Sequence, residues 1–356
     1  MVNQLFWIPF LIAALGSAVA TPFVIRLAWR FDLIDDPQKN KHAKVIHTKP
    51  TPRGGGLAIF FGFLFAAFMF LPIDKHLTGI LVGASILVAV GLIDDKKNTS
   101  PYIRLILQFV AAACPIVAGI GIAYITNPLT GTLIDLSHPR ITFDLLGETR
   151  SIWILSDFLA LFWIVSIMNF LNMGAKGVDG QLTGVVGIAA LVLVALSLRY
   201  SADITEWPAT TLAAITAGAF LGFLPWHVYP QRIMPSFSGS NLGGYLLGVI
   251  SILTTTKIGT VGLVLAVPFI DTGYAMIRRV LSGKSPVWGD RGHLHHKLLD
   301  NGVSKRTIAY LYWGITALFG FLSLQLTAEN KLYTIVGIAL VVGGVMLWLT
   351  YRPKQS

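Results

Sequence analysis

The sequence predicts an all-α, polytopic integral membrane protein, and three observations carry that class. Of its 356 residues, 54% are apolar and only 12% charged, about half the charge fraction of a soluble protein. Mean hydropathy is +0.69, and a water-soluble fold of this length has no place to put so much apolar surface. Runs of roughly 20 apolar residues, the length that crosses a bilayer as a helix, recur along the whole chain. A soluble enzyme, a disordered chain and a secreted disulfide scaffold are excluded. The single cysteine, Cys114, lies inside an apolar run, so no intramolecular disulfide forms and no thiol chemistry is implied.

Eleven spans are expected, ten being the lower count, in one membrane domain covering residues 1–356. The first, at 5–29, is too long for a signal-peptide core of roughly 7–15 residues and reads as a retained helix. The next is 55–73, followed by a short one at 78–93 and then 103–124, 153–172, 181–198 and 209–227. The eighth, 241–255, is also short, so it and the third are read as tilted, half-buried or misplaced. The last three are 258–277, 308–327 and 332–350. Gly218 with Gly222 and Gly244 with Gly248 have the small-residue spacing that permits close helix packing.

Eleven spans alternate the loops between two faces. The face bearing the loop after span one collects 21 Lys and Arg and 9 acids, the other face 6 and 8. The positive-inside rule makes the first face cytoplasmic, with the N-terminus outside and the C-terminus inside. The net charge of +10 is therefore a loop property and does not call for nucleic acid. The opposite face has one longer loop, 125–152, which carries scattered turn residues and no chemical motif.

The working loops are 30–54, 94–102, 172–181, 228–240 and 278–307. The first holds Asp35-Asp36, His42, Lys44, His47 and Lys49, and ends Thr51-Pro52-Arg53-Gly54-Gly55-Gly56. Glycine at a helix start lets backbone N–H groups approach an anion, and Arg53 adds a forked phosphate donor; a tight re-entry turn is the alternative. Asp94-Asp95 closes span three: two adjacent carboxylates suit a base or a hard divalent cation, unless they are a solvated helix cap. Asn169 and Asn172 share one side of the end of span five, and amides at membrane depth are costly unless they line a polar cavity. Lys176 and Asp179-Gly180 follow on a glycine-flanked turn. Arg291, His293, His295 and His296 crowd the loop after span nine; with no cysteine and no His at i+4, a basic patch for pyrophosphate fits better than zinc. Asp271 is an intramembrane carboxylate, functional or a partner for Arg278 or Arg279.

This set of motifs resembles the polyprenyl-phosphate N-acetylhexosamine-1-phosphate transferases, the glycosyltransferase 4 family. The similar residues are Thr51-Pro52-Arg53-x-Gly55-Gly56, Asp94-Asp95, Asn169-x-x-Asn172, Asp179-Gly180, Val267-Pro268-x-x-Asp271 and His293-Leu294-His295-His296, in the family's order and on one face. The resemblance implies transfer of a sugar 1-phosphate from a UDP-sugar to undecaprenyl or another polyprenyl phosphate, with release of UMP. The histidine segment looks closer to the branch that uses UDP-GlcNAc. It also implies Mg²⁺, with Mn²⁺ able to replace it, a bacterial plasma-membrane location with a cytoplasmic active face, and an early step of cell-wall, lipopolysaccharide or capsule synthesis; a homodimer is admitted. The catalytic candidates it implies are Asp94, Asp95, Asp179, His293, His295 and His296. Thr51, Arg53, Asn169, Asn172, Lys176 and Arg291 are the substrate-binding candidates, and Asn172 and Asp95 the metal candidates.

Two departures stand out. The first Asp of the family's Asp-Gly-x-Asp-Gly falls on Lys176 or Ala175 with one residue inserted. Its Met-Gly-Asp-x-Gly-Ser falls on Pro235-Ser236-Phe237-Ser238-Gly239-Ser240, so Phe237 stands where relatives have a metal-ligating Asp. Three outcomes are open: the remaining acids and Asn172 hold the metal, Lys176 replaces part of its charge, or the chain is a catalytically quiet paralogue that binds lipid phosphate or organises an assembly. A secondary transporter is disfavoured, because the polar residues gather at one face and no internal repeat is visible.

Overall fold

The computed structural model describes residues 3–40, 45–145, 148–199, 207–254, 258–286 and 291–351. His42, Lys44, and residues 288–290 of the histidine loop lie outside them. Helix α1 (Ile8–Arg30) leads through a two-strand ladder, β1 (Ile34–Asp35) with β2 (Thr51–Pro52), into α2 (Gly56–Phe70). α3 (Lys75–Lys97) starts on Asp74, whose carboxylate accepts the Leu77 N–H at 2.8 Å, the usual N-cap bond. It runs past the apolar stretch to Lys97, so Asp94 and Asp95 belong to its last turn rather than to a loop. α4 (Pro101–Val117) follows at once, with proline at its first position.

The segment expected to hold scattered turns is instead two antiparallel hairpins: β3 (Tyr124–Thr126) with β4 (Leu133–Asp135), and β5 (Arg140–Leu145) with β6 (Glu148–Trp153). Alternation such as Arg140-Ile141-Thr142-Phe143 has the period of a strand, which lets backbone groups pair where no helix covers them.

α5 (Ile154–Gly174), α6 (Gln181–Leu198), α7 (Trp207–His227) and α8 (Ser236–Leu253) complete the core. Every residue of α8 from Ser236 to Ile252 is buried, because α2 to α7 and the following α9 pack around it. Span nine is broken: α9 (Ile258–Val264) and α10 (Ala266–Leu281) meet at 77°. Pro268 explains the break, since it has no N–H for the Val264 carbonyl and its ring crowds that oxygen; the bonds of Leu265 to Val261 and of Phe269 to Leu265 survive on either side. The short α11 (Leu294–Asp300), then α12 (Lys305–Gln325) and α13 (Ala328–Tyr351), close the chain.

Among the described residues, eight helices are long and apolar enough to cross a membrane, and the bent pair would be a ninth. α2 and α4, of 15 and 17 residues, are the shorter apolar helices. Large apolar side chains lie exposed along outer helices, among them Leu15, Val19, Phe65, Phe162 and Leu340. Such a belt is tolerable only with lipid as the solvent.

Candidate active site

The helix ends assigned to one face meet. Gly55 N–H donates to the Met234 carbonyl, Met234 N–H to that of Pro52, and Lys305 Nζ to that of Ile46. Thus the loop before α2, the loop before α8 and the start of α12 are tied together. A Cβ on Gly56 would lie 2.3 Å from the backbone N of Gly239, so the glycine run lets the starts of α2 and α8 touch.

Asp94 is fully engaged. Arg104 meets its Oδ2 at 3.2 Å, and its Oδ1 accepts the Thr99 N–H and hydroxyl at 2.9 and 2.7 Å. Asp95 is buried beside it: Arg53 reaches its Oδ1 at 3.1 Å, and the Phe237 backbone N–H faces its carboxylate. Arg53 also donates to Asn98, which caps α3 in the left-handed conformation.

Beside this pair opens a cavity of about 530 Å³. Its polar end is formed by Arg104, Asn172, Lys176, His293, His295 and His296, and among the described residues no carboxylate lines it. Its other end is apolar, with Leu105, Phe109, Phe162 and Val165 from α4 and α5. Phe109 and Phe162 are 37% and 59% exposed, so the apolar end reaches the lipid-facing surface.

Each polar wall residue is held by a neighbour. Asn169 donates to Gln108, and Gln108 donates to Asn241, a chain of amides crossing from the half-buried end of α5 through α4 to the buried α8. The Asn172 Oδ1 accepts from Lys176 Nζ and, at 2.8 Å, from Ser240 Oγ. Arg104 lies over the Phe237 ring, 5.1 Å from its centroid, a cation–π contact. The Lys176 ammonium is pushed down to about 7 by burial, against the pull of Asp95 and with the push of Arg53 and Arg104.

The three imidazoles cluster: His293 and His295 are nearly parallel with centroids 5.6 Å apart, and His296 is tilted 55° against His295 at 4.4 Å. Asp271 is fully buried and orients the first of them; its Oδ2 is 3.1 Å from His293 Nδ1, and its Oδ1 accepts the Leu294 N–H at 2.8 Å. A carboxylate paired with one ring nitrogen sets the tautomer and aims the other. Asp271 thus bonds to the histidine segment, where the sequence left open a pairing with Arg278 or Arg279. Gly177 is where His295 packs, since a Cβ there would fall 1.8 Å from the ring.

Other sequence candidates lie elsewhere. Asp179 accepts the Gln231 N–H at 3.2 Å and faces Lys305 at 3.9 Å, in a cluster that does not line the cavity. Thr51 is buried with its hydroxyl on the Lys49 carbonyl. Arg291 is exposed and pairs with Asp300. Sequence reasoning misses Arg104, Gln108, Ser240 and Asn241. Gln108 carries a usable signal, as an amide inside an apolar run; Arg104 reads in the sequence only as loop charge.

The donor set does not fit the Mg²⁺ that the resemblance implies. Among the described residues no three His, Cys, Asp or Glu side chains are grouped as a metal site. Asp94 and Asp95 each already face a guanidinium, the Asn172 oxygen accepts two donors, and Phe237 offers a ring. A hard cation needs several oxygen ligands, and here it would sit among Arg53, Arg104 and Lys176.

Residues 77–255 match the family model described as glycosyl transferase family 4. The chain is 30% identical to the decaprenyl-phosphate N-acetylglucosaminephosphotransferase of Mycolicibacterium smegmatis over 94% of its own length and 86% of the relative's. It is 28% identical to a probable undecaprenyl-phosphate N-acetylglucosaminyl 1-phosphate transferase of Bacillus subtilis, over 91% and 85%. It is 27% identical to the undecaprenyl-phosphate alpha-N-acetylglucosaminyl 1-phosphate transferase of Escherichia coli K12, over 80% and 74%.

Proposed function

The chain belongs to glycosyl transferase family 4, a family of sugar-phosphate transferases, and on that premise we propose that it moves N-acetylglucosamine 1-phosphate from UDP-GlcNAc to a polyprenyl phosphate. The products are the lipid-pyrophosphoryl sugar and UMP, made at the cytoplasmic face of a bacterial plasma membrane as an early step of a cell-envelope glycan. What carries the reading is the two-ended cavity. Its apolar end, at Phe109 and Phe162, suits an isoprenoid chain arriving from the lipid; its polar end, at Lys176, Arg104 and the histidines, suits phosphate.

The chemistry asks little covalent work of the protein. An oxygen of the lipid phosphate attacks the β-phosphorus of the donor, which carries the sugar; the bond from that phosphorus to the bridging oxygen breaks, and UMP leaves with that oxygen. Catalysis is then a matter of holding two anions in line and countering their charge. Arg104, braced by Asp94 and the Phe237 ring, and the imidazole cluster, whose first ring is held by Asp271, line the polar end and counter it there. Asp95 behind them faces Arg53 and lies within the electrostatic reach of Lys176.

The test is UMP release by detergent-purified protein given UDP-GlcNAc and undecaprenyl phosphate. We expect release that depends on both substrates, and at least about a tenfold loss in Asp95→Asn, because removing one member of a buried charge pair leaves the other uncompensated. Folded protein that binds lipid phosphate but releases no UMP from any UDP-sugar would make the chain a binding relative instead of a transferase.

A further inference from the structure

Lys176 is the feature that the reaction scheme alone does not require. It stands on a turn with no room to move: a Cβ at Gly174 would lie 2.6 Å from the Pro268 carbonyl, and one at Gly177 would enter the His295 ring. The turn is thus wedged against α10 and α11, and the side chain is directed along the cavity wall. There Asn172 Oδ1 accepts its ammonium, and Ser240 Oγ fixes the amide from the other side. The nearest opposing charges are the carboxylates of Asp95 and Asp94, each also facing a guanidinium.

Phe237 points the same way independently. Its ring is 4% exposed and underlies the Arg104 guanidinium, stiffening a second cation at the same wall. The two positions are complementary: one supplies a positive charge and the other supports one, and neither offers an oxygen to a metal.

We propose that Lys176, positioned by Asn172 and Ser240 and flanked by Arg104 on Phe237, takes the place of a divalent cation as the counter-charge for the diphosphate of the nucleotide sugar, so that the donor binds without Mg²⁺. This rests on the donor reading above. A lysine ammonium is a compact point charge with three donors, and a fixed monovalent cation beside a guanidinium stands in for the charge of one divalent ion. It neither dissociates nor responds to a chelator.

The experiment is titration calorimetry of UDP-GlcNAc into the purified full-length protein, once with excess EDTA and once with Mg²⁺. Affinity is expected to agree within about threefold between the two conditions, a difference well under that of one charge-assisted hydrogen bond. Lys176→Met should weaken binding at least about tenfold in EDTA, and Lys176→Arg should keep most of it. The double variant Lys176→Asp with Phe237→Asp should bind only when Mg²⁺ is present. A thermal melt of each variant reports folding, and the native protein in EDTA decides the question even if every variant unfolds. Binding that appears only with Mg²⁺ overturns the lysine inference and leaves the transferase reading standing. Absence of binding by folded native protein in both conditions overturns both.

Discussion

At the scale of single residues, charge placement decides the site. Asp94-Asp95 and the three histidines are visible in the sequence because their types are rare at a membrane boundary. What each one does is not visible there, because it depends on which partner comes from another helix: Asp94 is saturated by Arg104 and Thr99, while Asp95 faces Arg53 and the Phe237 backbone. Lys176 gives a pH signature. Burial pushes its ammonium down from 10.5 to about 7 in the free protein, with Asp95 pulling the other way, and a bound diphosphate favours the charged form and raises it. At low pH both states carry the proton, and this group adds no slope. Above about 7, binding must take up a proton, so the affinity for UDP-GlcNAc falls as pH rises, by up to about tenfold per unit. Asp94, Asp95, Arg53, Arg104 and the pocket histidines face the same space, so the diagnostic is the comparison with Lys176→Arg, which stays charged and loses this slope. Equal slopes in the two proteins would remove Lys176 from binding.

At the scale of elements, helices are legible in the sequence and their ends are not. The short span expected at 78–93 in fact continues past Asp94: polar residues mark the end of an apolar run, but tertiary contacts with Arg53 and Arg104 carry the helix on to Lys97. Span nine is expected as one helix although Pro268 lies inside it; the proline ring breaks one backbone bond and turns α10 toward the histidine segment. The strands of 124–153 escape a sequence reading because short alternating runs carry a weak signal beside 20-residue apolar blocks. An element-scale prediction concerns the turn between α5 and α6. Gly177→Ala should displace the His295 ring, cost about 1–3 kcal/mol as an overpacked contact and cut UMP release more than it lowers the melting temperature. An unchanged rate in the variant would show that the position of His295 is immaterial.

At the scale of the whole molecule, the solvent determines the architecture. The exposed belt of large apolar side chains requires lipid around it, and the polar ends of the helices then have one face on which to gather. Orientation is checkable because the chain has one cysteine. In a Cys114→Ser background, a cysteine at Thr130, exposed between β3 and β4, should react with a membrane-impermeant thiol reagent on intact cells. One at Asn301, exposed after α11, should react only after lysis; the reverse pattern would invert the topology. Composition and the period of apolar runs were enough, by themselves, to determine a helical membrane protein and roughly where its apolar helices lie, since each apolar run answers locally to the bilayer. Only the tertiary structure decided that Lys176, Asn172 and Ser240 form one unit, that Phe237 supports Arg104, and that Asp179, Thr51 and Arg291 stand apart. Those pairings join residues up to 133 positions apart, and the direction of a side chain at a helix end is set by the helices packed against it, which no local pattern encodes.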